Sequence, residues 1–194
     1  MNILKIGTLI NPTEFDQYIT EAEKLETVFH KYDNPFNVPD YPCWMAYKTL
    51  RDSEGSISFS RHTSTHPILK EMVSKIADIL TPILPVKHPA IPERIHFIRT
   101  IGSVLPHIDE ASRMCCINIG VKNSSSAVTK ISNDGIPENF SSNNTAYTIE
   151  DGVGYLLNTN QLHSVEGDLS IPRYLITYGF GAQFNIVEKA LRIS

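Results

Sequence analysis

Cysteine is scarce, tryptophan occurs once and long apolar runs are missing from this 194-residue chain. Each scarcity removes a class of protein. Three cysteines, with Cys115 and Cys116 adjacent and Cys43 remote, build no disulfide framework. The thiols are therefore expected to be reduced and the chain cytoplasmic. In that setting the Asn-x-Ser/Thr sites at Asn123, Asn139 and Asn143 carry no weight. No stretch approaches the ~20 apolar residues of a bilayer span, and the opening Met1-Asn2-Ile3-Leu4-Lys5 lacks the apolar core of a secretion signal. An excess of positive charge is also lacking. Lys and Arg number 17 against 21 Asp and Glu, a net charge of −4, so there is no electrostatic footprint for nucleic acid. There is no internal repeat, and nothing specifies an oligomeric state.

What is present suits one globular domain over 1–194. The chain is 41% hydrophobic and 20% charged, and long enough to bury a sizeable core. Residues 1–92 read as helix and loop. Asn11-Pro12-Thr13-Glu14 resembles a capped helix start, and Phe15, Ile19, Ala22, Leu25, Phe29 and Tyr32 follow at helical spacing. A second helix starts at Pro67 and runs to Leu80, before Thr81-Pro82. After Pro92 the pattern turns to short strands at 95–101, 113–122, 127–132, 146–150, 153–157 and 173–179. Asn133-Asp134-Gly135 and Asp151-Gly152 are hairpin signals, while 123–126 and 132–145 read as exposed loops. Helices followed by strands argue an α+β fold, a jelly roll over 93–181 backed by N-terminal helices, with 182–194 as a tail.

Within the strand-rich part, His107 and Asp109 are two apart, His163 lies some fifty residues on, and Arg173 follows ten later. In extended chain, positions i and i+2 face the same side, so His107 and Asp109 can reach one ion. Two imidazoles and a carboxylate on one face of an octahedron form the ligand set of a non-haem Fe(II) oxygenase, whose other face stays open. A His-x-Asp pair alone arises by chance in roughly one such chain in three. A downstream His followed about ten residues later by a cation reduces that to a few per cent.

Each residue also has an ordinary reading. His107 and Asp109 suit a loop His beside a turn Asp, and a lone His163 suits a surface position. Arg173 opens the apolar strand Tyr174-Leu175-Ile176-Thr177-Tyr178, where a guanidinium either snorkels to solvent or meets a carboxylate. In the strand around Asn118, Ile117, Ile119 and Val121 share one face, and Cys116, Asn118 and Gly120 share the other. Asn118 fits a pocket wall or a buried backbone partner equally well. Arg113 fits a solvated strand start or an anion site. Tyr41, Trp44 and Tyr47 fit core packing more readily than a substrate wall. His62 and His66 make no zinc helix, because Pro67 starts the helix after them.

The span from Ile95 to Gly179, with His107-Ile108-Asp109, His163 and Arg173, resembles the double-stranded β-helix core of the Fe(II)/2-oxoglutarate-dependent dioxygenases. The segments 113–121 and His163-Ser164-Val165, with Arg173, are most similar to the aspartyl/asparaginyl β-hydroxylase branch. The resemblance implies Fe(II) on His107, Asp109 and His163, and 2-oxoglutarate held by Arg173 with help from Asn118, Tyr155 or an upstream hydroxyl. Many members carry Ser two residues after the Arg, where this chain has Leu175. It further implies O2 as oxidant and a peptide or small-molecule substrate contacted by Arg113 and Trp44. Two alternatives stay open: a cupin-like metalloenzyme that does not use 2-oxoglutarate, and a non-catalytic jelly-roll binding module.

Overall fold

The computed structural model describes residues 2–24, 30–31, 54–58, 67–85, 90–91, 94–100, 102–109, 113–168 and 170–192. The alternating segments fold into eleven strands: β1 (Ile3–Thr8), β2 (His30–Lys31), β3 (Glu54–Ser58), β4 (Ile95–Thr100), β5 (Val104–His107), β6 (Cys115–Lys122), β7 (Ala127–Ser132), β8 (Asn144–Thr148), β9 (Val153–Leu157), β10 (His163–Gly167) and β11 (Arg173–Phe180). Among the described residues three α-helices accompany them: α1 (Asp16–Lys24), α2 (Pro67–Leu80) and α3 (Phe184–Leu191). A seven-stranded sheet runs β1-β9-β6-β11-β4-β3-β2, and a four-stranded sheet runs β5-β10-β7-β8. Neighbouring strands are antiparallel throughout. This is the expected double-stranded β-helix.

The period of two decides the layers. Ile117, Ile119 and Val121 of β6, with Ile95, Phe97, Tyr174, Ile176 and Tyr178, face a core shared with Phe15, Tyr18, Ile19, Leu69, Met72 and Ile76 of the N-terminal helices. α2 is buried along Leu69, Met72, Val73, Ile76 and Leu80, one stripe at helical spacing. The opposite face of the large sheet turns inward to the small sheet. Among the described residues the apolar packing there is thin: Cys116, Ile149, Val153, Tyr155, Leu157 and Leu175, with Ile3, Ile98 and Tyr147 against them. The functional interior lies beside this second cluster.

Several expectations change. The core is not confined to 93–181, because β1 pairs with β9 at one edge and β3 pairs with β4 towards the other. The first helix is described over Asp16–Lys24, and His30–Lys31 is strand, so the helix does not run on through His30; Leu25, Phe29 and Tyr32 lie outside the described residues. The tail contains α3, whose Phe184 and Val187 join the main core. Asn133-Asp134-Gly135 does serve the β7–β8 pairing. Asp151-Gly152 instead carries the chain from β8 in the small sheet to β9 in the large one. Gly152, at φ 81°, supplies that turn, and its N–H donates to the Gly120 carbonyl at 2.8 Å. Segment 123–126 is not wholly exposed, since Ser124 is buried and its hydroxyl donates to the Tyr174 carbonyl at 3.1 Å.

Candidate metal centre and anion pocket

His107 closes β5 and His163 opens β10, and antiparallel pairing sets them directly opposite one another. Their rings stand 4.2 Å apart. Asp109 follows β5 by two residues, fixed by its N–H donating to the Thr159 carbonyl at 3.1 Å. Its Oδ1 lies 3.6 Å from His107 Nε2 and 4.0 Å from His163 Nε2. One potential ligand atom from each residue falls within 4.8 Å of the other two.

The protonation state of His163 suits a metal. Burial, and then the neighbouring His107, pushes its pKa down to about 4, so the imidazole is neutral at pH 7. Its Nδ1 is 2.9 Å from the Gln161 carbonyl, which can only accept. Nδ1 therefore carries the proton, and the Nε2 lone pair faces His107 and Asp109.

Arg173 opens β11 with its side chain on the inward face, alongside Leu175 and Thr177. It is 5% exposed, and its Nε and Nη1 are buried with no hydrogen-bond partner among the described residues. Burial lowers its pKa from 12.5 to about 10. Tyr147, on β8 of the facing sheet, is its electrostatic neighbour; the Tyr147 hydroxyl is likewise buried without a partner at hydrogen-bonding geometry. Burial raises the Tyr147 pKa, keeping the phenol protonated as a donor. A buried cation with unpartnered nitrogens, facing a buried O–H whose polar neighbour is Thr129, suits a carboxylate. Cys116 links this pocket to the metal centre, because its thiol feels Tyr147 on one side and Arg113 and Asp109 on the other.

The remaining candidates separate. Asn118 lies in β6, paired with Thr177 of β11 and Tyr155 of β9, and its Oδ1 accepts from the Cys116 thiol at 3.4 Å. Tyr155 packs its ring 5.9 Å from that of Tyr147, but its hydroxyl donates to Glu150 Oε1 at 2.9 Å. Arg113 is engaged rather than solvated: its Nε is 3.3 Å from Asp109 Oδ2, and Nη2 donates to Thr177 Oγ1 at 2.6 Å. Trp44, Tyr41, Tyr47, His62 and His66 lie outside the described residues. Tyr147 was not among the sequence candidates. Its strand, Asn144–Thr148, is polar, and a lone tyrosine among small polar residues was the only signal.

A His-Asp-His cluster and a buried arginine with unpartnered nitrogens, within one double-stranded β-helix, define the architecture. The chain matches no protein-family model and no curated protein. It is similar in fold to solved 2-oxoglutarate oxygenases. A prolyl hydroxylase from Trichoplax adhaerens, in complex with a hypoxia inducible factor peptide, is 13% identical (TM-score 0.55; 100% of this chain, 87% of that one). HygX from Streptomyces hygroscopicus, with nickel and 2-oxoglutarate bound, is 10% identical (TM-score 0.53; 92% and 83%). SnoN, a non-haem α-ketoglutarate-dependent epimerase from nogalamycin biosynthesis, is 8% identical (TM-score 0.55; 92% and 76%).

Proposed function

We propose that the chain is an Fe(II)- and 2-oxoglutarate-dependent oxygenase that hydroxylates an amino-acid side chain in a peptide, or a small molecule. The observation that carries this reading is the His107–Asp109–His163 cluster within one double-stranded β-helix that also buries the unpartnered Arg173 guanidinium nitrogens facing Tyr147. His107, Asp109 and His163 would hold the iron, and Arg173 with Tyr147 would take the distal carboxylate of the co-substrate. When bound, the iron and the 2-oxo acid together supply an oxidant from O2, with succinate and CO2 as by-products.

The chain's own residues do the rest. The Gln161 carbonyl holds the Nδ1 proton of His163, which fixes both tautomer and ring direction. The Tyr147 O–H replaces the missing serine at Leu175 as the second donor to the carboxylate. Strand pairing holds the two histidines before any ligand arrives, His163 on β10 between β5 and β7 and His107 on the edge strand β5 directly opposite it, which is the preorganisation such a site requires. Asn118 and Arg113 flank the interior as candidates for contact with co-substrate or substrate. The aspartyl/asparaginyl hydroxylase branch is proposed on 113–121, 163–165 and Arg173. A cytoplasmic location is proposed on the buried, unpaired Cys115 and Cys116; no helix among the described residues is long and apolar enough to cross a membrane.

The test is an anaerobic titration of 2-oxoglutarate into Fe(II)-loaded protein, monitored by the weak visible charge-transfer band. A band in wild type that weakens in Arg173→Ala and vanishes in His163→Ala is the expected result. Iron binding with no band and no 2-oxoglutarate affinity would point instead to the cupin-like reading. No iron binding would leave the jelly-roll module.

A further inference from the structure

Asp109 divides its two oxygens between different tasks. Oδ1 faces His107 Nε2 and His163 Nε2, at 3.6 and 4.0 Å. Oδ2 faces Arg113 Nε at 3.3 Å. Arg113 is held in that position from three directions. Its Nη2 donates to Thr177 Oγ1 at 2.6 Å, which anchors the far end of the guanidinium. Its stem lies across Gly179, where an added Cβ would stand 2.8 Å from Arg113 Cγ, so the strand leaves room for this side chain by lacking its own. Its carbonyl accepts from the Thr159 hydroxyl at 2.7 Å, and the carbonyl of the same Thr159 takes the Asp109 N–H. One buried threonine thus ties the backbone at Asp109 to the backbone at Arg113.

We infer that Arg113 is a positioning residue that confines Asp109 to single-oxygen ligation of the metal. The inference rests on the metal-centre reading above and goes beyond it. A carboxylate with both oxygens free can chelate, whereas one whose second oxygen is capped by a fixed cation presents only the first. Three protein ligands then leave three positions of an octahedron open, enough for a bidentate 2-oxo acid and O2 together. A chelating Asp109 would remove one of them. In this role Arg113 acts through Asp109.

The experiment loads the full chain with Mn(II) and measures water-proton relaxation, alongside 2-oxoglutarate affinity. In Arg113→Ala the carboxylate is free to chelate. The relaxivity of bound Mn(II) should fall by about a third, as one of three water positions is lost, and 2-oxoglutarate should bind about tenfold more weakly. Gly179→Ala keeps the charge but displaces the stem, and should shift relaxivity in the same direction. Arg113→Lys, which still offers a cation to Oδ2, should restore most of the wild-type value. Wild-type relaxivity in both Arg113→Ala and Gly179→Ala would overturn the inference while leaving the metal centre intact. If Arg113→Ala does not fold, Gly179→Ala beside Arg113→Lys decides alone. Wild type that binds no Mn(II), like His163→Ala, would overturn the metal-centre reading itself and the positioning role with it.

Discussion

Replacing Arg173 with methionine should make the protein more stable and, at the same time, blind to 2-oxoglutarate. The guanidinium is 5% exposed and two of its nitrogens lack partners among the described residues. Its pKa is lowered from 12.5 to about 10 by burial. At 1.36 kcal/mol per pH unit, holding that buried charge costs about 3 kcal/mol at neutral pH. Methionine fills the space of the stem but not of the guanidinium, and the residual cavity returns about 1–2 kcal/mol of that gain. The net stabilisation, about 1–2 kcal/mol, raises the ligand-free Tm by about 2–8 °C in a chain of this size. With co-substrate the sign reverses. Removing a buried cation that meets a carboxylate costs about 2–5 kcal/mol of binding, roughly 30- to 5,000-fold in Kd. Thermal unfolding with and without saturating 2-oxoglutarate, on metal-loaded protein, reads both effects. Wild type should gain several degrees with ligand, and Arg173→Met should start higher and gain almost nothing. A variant that melts lower than wild type and still responds fully to ligand would show that Arg173 is a structural cation, and the carboxylate pocket would be wrong.

Tyr147→Phe should leave ligand-free stability almost unchanged, because the hydroxyl has no well-formed partner to lose, and weaken 2-oxoglutarate by about 1.5–3 kcal/mol in calorimetry. Stability should fall in acid. Burial holds His96 and His163 near pKa about 4 in the fold, against 6.5 in the free chain. The unfolded chain therefore binds protons first, and stability is lost as pH falls from about 6.5 to about 4. Urea unfolding of metal-free protein across that window should show the slope, and His96→Gln should reduce it by about 1.4 kcal/mol per pH unit. Gly120→Ala should destabilise by about 1–3 kcal/mol or more, read by the urea midpoint. Its methyl would meet the Glu150 backbone carbonyl at 2.3 Å, and a backbone atom cannot rotate out of the way as a side chain can.

The parts of the fold legible in the sequence were those in which one local pattern settles the structure. α2 begins at Pro67 and ends before Pro82, as its apolar stripe and prolines require. β6 alternates as read, with Ile117, Ile119 and Val121 towards the helices and Cys116 towards the interior. The His107, Asp109 and His163 cluster was legible because sheet pairing converts spacing into proximity. β1 was not. Its six residues gain meaning only from β9, about 150 positions away, and no local signal carries that pairing. Tyr147 was missed for the same reason: its role depends on facing Arg173 across two sheets, which neither polar β8 nor apolar β11 discloses alone. Arg113 looked like a solvated strand start because the glycine that receives it, Gly179, is 66 residues later.

The thin apolar seam between the sheets has a further consequence. The proposed metal ligands His107, Asp109 and His163 sit on or beside the small sheet, Arg173 belongs to the large one, and Tyr147 faces Arg173 from the small sheet. Whatever fills the space between them would act as mortar, joining two slabs that greasy contact alone binds loosely. Without it, the four-stranded slab should breathe. Its amides should exchange with deuterium faster than those of β6 and β11, which the helices back, and the difference should narrow once both metal and 2-oxo acid are in place.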